Sequence, residues 1–525
     1  MNLILKTAVA TAIAAAGVTA AQALDVKNYA TNTNVNVFIS GSTAVDTTLL
    51  STLILGTGGY CQSGTIDVYQ IGSPTNRMIY CSATAASGLT AGTPLAIFKE
   101  SNVGSGNGVG PLINVAKGGS SGTFFLSPAA LVADTANTEC TTAAVTSTAN
   151  FLAYTNHTAC PAVDITASTV VPTGGFADVE AALLRGAGGT TSSAADVSKY
   201  LQSQNVFDVV WGVAVTKNLF YALQAAEIGV TGNCPANSDL SSCAPSLSKA
   251  QVASLYQGNV FTWDQLGLNN AVDNNVYICR RDIESGTEAS FEAYFLGARC
   301  SQSSEVMATS DNQFIFTNGS GGGMRNCLSA LNSGGSFAPF NDTTITALPP
   351  VTEPGSQWAI GLISSEVTSG NLSADTFRLV AVDGVLPTLS NVVNGFYPYW
   401  SSNFAYSIKS GTGVPTGSAA TVWTNLSKFM GDPAPTKAVN TAYSGRPWGN
   451  GGDLSPAVQF ITATNTLPAT SASVALSPVN AFTKASSGSV NNCDTPVLYF
   501  PGATAGYSLK TPTESVLLGT GNVNH

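Results

Sequence analysis

Short, almost wholly apolar strand-type segments alternate with helical stripes along this chain, and that alternation restricts its fold more than any other feature. Val35-Asn36-Val37-Phe38-Ile39 has the β-branched and aromatic content of a buried strand. Val45, Leu49 and Leu53 follow at i, i+4 and i+8, the spacing of one helix face. Phe207 to Thr216 (FDVVWGVAVT) is nearly all apolar, as a strand covered on both faces has to be. Trp358 to Ser364 and Phe377 to Val382 repeat the type. Strands that need cover on both faces, interleaved with helices that supply it, predict an α/β architecture. The length suggests two or three domains, and no solenoid-type repeat is visible.

The N-terminus reads as an export signal, expected over residues 1–23. Lys6 gives the positive region, Ala8 to Val18 the short apolar core, and Ala21-Gln22-Ala23 the small-residue cleavage site. No later run reaches the ~18 apolar residues of a spanning helix, so no membrane span is expected in the mature chain. Charged residues make up 10% of the sequence, against ~25% in ordinary globular chains. That composition fits the periplasm or the cell exterior. The net charge of −10 makes nucleic acid and anionic membranes poor partners. With only His157 and His525 available, neither a His-centred triad nor a multi-His metal site is expected, and no cofactor is called for.

Ten cysteines with no C-x-x-C pair, behind an export signal, point to disulfides. Proximity in sequence suggests Cys61–Cys81, Cys140–Cys160, Cys234–Cys243 and Cys279–Cys300. That leaves Cys327 to pair with Cys493 by default. Two stretches rich in Ser, Thr, Gly and Ala, at about 57–94 and 118–170, break the alternating rhythm. They are expected to be disulfide-stapled insertions on the core. Similar stretches near Gly411 to Ser418 and Thr470 to Ser489 read as loops.

Three Gly/Ser/Thr motifs stand where a strand gives way to a helix. They are Ser40-Gly41-Ser42-Thr43-Ala44, Gly104-Ser105-Gly106-Asn107-Gly108 and Arg281-Asp282-Ile283-Glu284-Ser285-Gly286-Thr287. A helix N-terminus offers unpaired N–H groups and a partial positive charge. Glycine lets a ligand approach the backbone, and hydroxyls add donors, so such ends can replace the water around a small anion. Arg281 would add a full charge and a bidentate fork. Each motif alone is also consistent with an ordinary N-cap, but a bare cap requires neither the arginine nor Ser-Gly-Thr together.

At these residues the chain resembles the periplasmic phosphate-binding proteins of ABC uptake systems, within the type II periplasmic-binding-protein superfamily. Ser246 to Gly267 (SLSKAQVASLYQGNVFTWDQLG) carries the family's G-x-(I/V)-x-x-W-x-x-(L/I)-G unit. Arg281-x-x-x-Ser285-Gly286-Thr287 follows in the family's order and spacing. Asn318-Gly319-Ser320-Gly321-Gly322-Gly323, Ala359-Ile360-Gly361 and Val380 to Tyr397-Pro398 continue it. The resemblance covers about Val35 to Leu55, Glu100 to Pro111, Pro172 to Leu184 and, best, Phe207 to Ser410. The insertions and the C-terminal third match weakly.

The resemblance implies a two-lobed fold with an oxyanion in the cleft between the lobes. One lobe would comprise residues 24–212 plus 400–525 and the other 213–399, with chain crossings near Trp211 to Lys217 and Tyr397 to Tyr406. It implies Ser42, Thr43, Ser105, Asp178, Arg281, Ser285, Gly286 and Thr287 as ligand-binding residues. Asp178 would accept a hydrogen bond from protonated phosphate and so reject sulfate; the alternative is that it caps a helix over Val179 to Leu184. Arg280 is a rival to Arg281 and is otherwise a surface residue. Glu284 stands where the family often has Gly, so it has to point outward, or the ligand is not phosphate. The expected function is an exported binding protein and not an enzyme, with inorganic phosphate or a similar oxyanion as ligand and an ABC permease as an open second partner. Two other readings stand beside it: a secreted surface or matrix protein that keeps the fold, and an exported phosphatase on the same scaffold.

Overall fold

The structure is a computed structural model. It describes residues 24–498, apart from residue 25 and residues 72–75, 102–103, 128–130, 132–139, 159–169, 185–192, 271, 300–313, 342–347, 366–375, 443, 445, 457–478, 481, 487–488 and 491. The expected export signal lies outside the described residues.

The architecture is mixed α/β, built on one large sheet. Its strands are β1 (Val35–Gly41), β2 (Asp67–Ile71), β3 (Asn76–Ser82), β4 (Pro94–Glu100), β5 (Thr141–Val145), β6 (Tyr154–Thr158), β7 (Gly174–Ala177), β8 (Leu201–Thr216), β9 (Ser246–Leu247), β10 (Tyr277–Arg281) and β11 (Ile315–Asn318). A short hairpin of β12 (Gly335–Phe337) and β13 (Val351–Glu353) stands apart. Then come β14 (Ala359–Ser364), β15 (Phe377–Val382), β16 (Trp400–Ile408), β17 (Asp453–Pro456) and β18 (Val479–Asn480). The main path runs β11-β10-β14-β8-β16-β7-β1-β4-β3-β2-β6-β5.

β8 joins the two halves of this sheet. Its first part pairs antiparallel with β16, from Leu201↔Ile408 to Val210↔Trp400. From Trp211 onward it lies between β14 and β15. Every residue from Val206 to Thr216 is buried, which explains the unbroken apolar run. The strand starts six residues before the expected Phe207, because Leu201 to Asn205 also find partners on β16. The Trp211 amide donates to the Tyr399 carbonyl at 3.2 Å and the Tyr397 hydroxyl to the Trp211 carbonyl at 2.8 Å, tying the strands where they change partners.

Within each half, parallel strands follow one another through crossover helices. β1 leads into the helix Asp46–Leu53, whose buried face is the expected stripe of Val45, Leu49 and Leu53. β10 leads into Gly286–Phe291, and β11 into Gly321–Ser333. This order puts helix N-termini at the carboxyl ends of parallel strands, the usual place for ligand crevices in open α/β sheets. The C-terminal helices return to the first half: Val422, Trp423 and Leu426 of Gly417–Phe429 are buried there, and the Trp423 ring occupies the space beside Gly174.

The expected insertions build the sheet itself. Residues 57–94 supply β2 and β3, and β3 pairs with β4 along seven residues. The second stretch supplies β5 and β6, and β6 extends the sheet through β2. β2 and β3 are short and sit in stretches rich in Ser, Thr and Gly, and β5 at the sheet edge is mostly exposed, so composition reads these stretches as insertions on the core.

The disulfides partly revise the expectation. Cys61–Cys81 and Cys234–Cys243 form as expected. Cys279 pairs with Cys327, so Cys279–Cys300 and Cys327–Cys493 are both excluded. The reason is tertiary: Cys279 on β10 and Cys327 on the helix Gly321–Ser333 share one core cluster. Cys160 and Cys300 lie outside the described residues.

Candidate functional site

One wall of the site grows from the end of β1. Gly41 has φ +97°, and a Cβ there would stand 2.3 Å from the Phe176 carbonyl oxygen, so the turn demands glycine. The turn lets the Ser42 amide donate to Phe176 at 3.0 Å. The Ser42 hydroxyl accepts from the Ala44 amide at 3.1 Å and donates to the Asp178 carboxylate. The Asp178 amide in turn donates to Ser105 Oγ at 3.0 Å, and its carbonyl accepts from Ser401 Oγ at 2.6 Å.

Asp178 is fully buried, and burial pushes its carboxyl up to about 7, against the attraction of Arg281. It does not cap a helix. The chain makes only a 3-10 turn over Ala181–Leu183, with Glu180 at its N-cap.

Beneath this wall lies Lys99, at the end of β4 and 1% exposed. Its Nζ donates to the carbonyls of Gly41 (2.6 Å), Ser42 (3.2 Å) and Glu100 (3.0 Å) and stands 3.3 Å from Asp46. Burial holds its pKa below the ordinary lysine value, opposed first by Asp46. The ammonium thus fixes the Gly41–Ser42 loop. No motif marks Lys99 in the sequence; its one signal is a charge closing the apolar run Pro94-Leu95-Ala96-Ile97-Phe98.

The facing wall comes from β10 and β11. Arg281 is buried, with Nε donating to the Asn318 carbonyl at 3.0 Å and Nη2 to the Gly319 carbonyl at 3.1 Å. Asp282 stands 3.5 Å from the guanidinium. Ser285 caps Gly286–Phe291, its Oγ accepting from the Glu288 amide at 3.4 Å. Glu288 receives the Arg281 amide at 3.2 Å, and burial, aided by Glu292, raises its carboxyl to about 8.

The walls touch at Gly286. A Cβ there would meet Ser105 Oγ at 2.6 Å and the Asp178 Cβ at 2.8 Å. Glu284 is buried at the same seam, where a Cβ on Gly106 would stand 2.9 Å from the Glu284 Cβ. Glu284 is thus not turned to solvent as expected: Gly106 makes room for it at the seam, and it is not among the residues that line the cavity beside that seam. Arg280 is half-buried and donates to Thr317 Oγ1 at 3.2 Å.

Beside this seam opens a cavity of about 120 Å³, lined from both walls. Of the eight expected residues, Thr43, Arg281 and Thr287 line it. Ser42, Ser105, Asp178 and Gly286 make the seam next to it, and Ser285 holds its own helix. Three further contributors were not assigned from sequence: Arg77 on β3, Arg325 on Gly321–Ser333, and that helix's first residues Ser320 to Gly322. Ser320 caps the helix by accepting from the Gly323 amide at 3.0 Å. Arg77 was hidden because its place depends on β3 pairing with β4. The conspicuous G-x-V-x-x-W-x-x-L-G unit is structural: Trp263 is buried and donates to the Trp358 carbonyl at 3.1 Å. Among the described residues no His/Cys/Asp/Glu group could hold a metal ion.

No protein-family model matches this chain, and no curated protein matches it. Among solved structures it is similar to a putative phosphate ABC transporter substrate-binding protein with bound phosphate from Clostridium perfringens, with 14% identity, a TM-score of 0.39 and coverage of 78% of this chain and 98% of that one. PstS from Borrelia burgdorferi follows at 11% identity and a TM-score of 0.32, covering 78% and 96%. An ABC-type phosphate transport receptor from Vibrio cholerae has 13% identity and a TM-score of 0.26, covering 46% and 68%. Likenesses this distant carry no argument about what the present chain binds.

Proposed function

We propose that this chain is an exported solute-binding protein that holds a tetrahedral oxyanion, phosphate first, between the two halves of its sheet. The carrying observation is convergence. Arg281, Thr43 and Thr287 line one cavity together with the N-terminal residues of Asp46–Leu53 and Gly321–Ser333, which come from opposite halves. Helix N-termini, hydroxyls and a guanidinium are the donors that replace an anion's hydration shell.

Asp178 gives the reading its chemical selectivity. Its carboxyl, raised to about 7, can share a proton with a hydrogen phosphate oxygen. Sulfate at neutral pH brings no proton, so it can be accepted only while Asp178 itself carries one, and discrimination against sulfate is expected to sharpen as pH rises through about 7. In this reading, residues 24–212 with 400–525 move against 213–399, and β8 and β16 are the crossings. The mature protein then works in the periplasm or outside the cell, and an ABC permease is its natural recipient.

A thermal-shift series on the purified mature chain tests this. Phosphate at about 100 times Kd is expected to stabilise the protein by about 2.7 kcal/mol, with arsenate similar and sulfate far weaker. Absence of a shift with all three anions overturns the reading.

A further inference from the structure

We propose that the preferred ligand of this cleft is a small organic phosphate that carries a second acidic group, with Arg77 and Arg325 receiving that group. The proposal rests on the oxyanion reading above and names the class of solute within it.

Size comes first. One water needs roughly 10–15 Å³ of such space, so the cavity of about 120 Å³ takes about eight to twelve atoms of that size. Orthophosphate, with five non-hydrogen atoms, does not fill a space of this size.

Charge points the same way. Arg77, Arg281 and Arg325 line the cavity, and Asp46 is the one carboxylate among its lining residues. Asp46 is already matched by Lys99 at 3.3 Å and accepts from Ser101 at 2.8 Å. Arg281 is matched in part by Asp282 at 3.5 Å, which leaves Arg77 and Arg325 as two guanidinium groups that no carboxylate among the described lining residues neutralises.

The three arginines also differ in their commitments. Arg281 is held by two backbone carbonyls and Asp282, pre-positioned for a phosphoryl group at the Thr43 and Thr287 side. Arg77 reaches the cavity from the opposite half, with its Nε donating to Gln70 at 3.3 Å. The Nε of Arg325 is buried and has no hydrogen-bond partner among the described residues. A buried donor left unpaired costs free energy, and a ligand carboxylate supplies the acceptor.

The remaining wall is apolar, formed by Trp211, Leu362, Ile363 and Ala44. Such a wall suits a carbon skeleton between two acidic ends; against an inorganic anion it would only desolvate charge. Arg77 comes from the hairpin of β2 and β3, in the segment outside the family resemblance. The register Arg77↔Lys99 fixes its place and Cys61–Cys81 staples the hairpin's start. The hairpin thus brings a new charge into the cleft.

Calorimetric titration of the mature chain with orthophosphate, glycerol 3-phosphate, 2-phosphoglycolate and pyrophosphate tests the proposal. 2-Phosphoglycolate is expected to bind at least tenfold tighter than orthophosphate and glycerol 3-phosphate. Arg77→Gln and Arg325→Gln are each expected to lose at least tenfold more affinity for 2-phosphoglycolate than for orthophosphate, with Arg77→Lys and Arg325→Lys recovering part of that preference. Melting curves of each variant confirm folding. Orthophosphate binding as tightly as every larger ligand overturns the proposal and leaves the oxyanion reading standing. Pyrophosphate outranking 2-phosphoglycolate overturns the organic assignment, and loss of all four ligands overturns both readings.

Discussion

The two walls of the cleft solve opposite electrostatic problems. The wall built by β1, β4 and β7 buries Asp46, Asp178 and Lys99 and satisfies them among themselves and with nearby carbonyls and hydroxyls. The wall built by β10 and β11 presents Arg281, Arg325 and two helix N-termini, with Glu288 and Asp282 behind them. The first wall holds its charges in internal pairs and the second presents cations to the cavity. On the proposed reading, the first wall would sense the protonation state of a ligand and the second its charge, and each wall can be broken separately.

The largest effect is expected from the charged wall. Arg281→Ala should cost about 2–5 kcal/mol of anion affinity, the usual range for one partner of a buried charge-assisted contact. A titration that shows less than a tenfold loss would remove Arg281 from the site. Next is the staple of that wall. Replacing Cys279 and Cys327 together by Ala should lower stability by about 2–4 kcal/mol, because β10 and Gly321–Ser333 carry Arg281 and Arg325. Peptide mapping under non-reducing conditions should recover Cys279 linked to Cys327.

Gly286→Ala strikes the contact between the walls. Its Cβ would meet Ser105 Oγ at 2.6 Å, and overpacking of this kind costs about 1–3 kcal/mol. On the proposed reading the seam closes over the ligand, so anion affinity is expected to fall with it; unchanged affinity would show that the seam is irrelevant to binding.

The smallest effect belongs to the proton-managing wall, and its signature is pH dependence. The Asp178 carboxyl is raised from its ordinary value to about 7. The folded state therefore holds this proton more tightly than the unfolded chain does. The associated stability is fully present below about pH 4 and is lost as pH rises through about 7. Asp178→Asn removes that loss, so in ligand-free protein its melting temperature relative to wild type should rise between pH 5 and pH 8. A difference that stays constant across that range would show that the carboxylate is not buried as described. With ligand, the same variant should narrow the preference for phosphate over sulfate.

The comparison of walls also shows what a sequence can disclose. Elements with strong periodicity were legible: Phe377 to Val382 is the observed β15, and the stripe of Val45, Leu49 and Leu53 is the buried face of its helix. Of the eight expected site residues, Thr43, Arg281 and Thr287 line the cavity, and what marked them in sequence was Gly, Ser and Thr at strand-to-helix junctions. Long-range register stayed hidden. It places Arg77 opposite Lys99, joins Cys279 to Cys327 across 48 residues, and sets Glu284 against Gly106. None of these follows from local pattern, because each depends on which strand or helix lies alongside another.

The most direct test of the clamp is a calorimetric titration of the mature chain with phosphate, run beside Arg281→Ala. The account expects saturable binding of one phosphate per chain, lost in the variant while its fold is retained. An absence of binding in the wild-type protein, or equal binding in the variant, would contradict it.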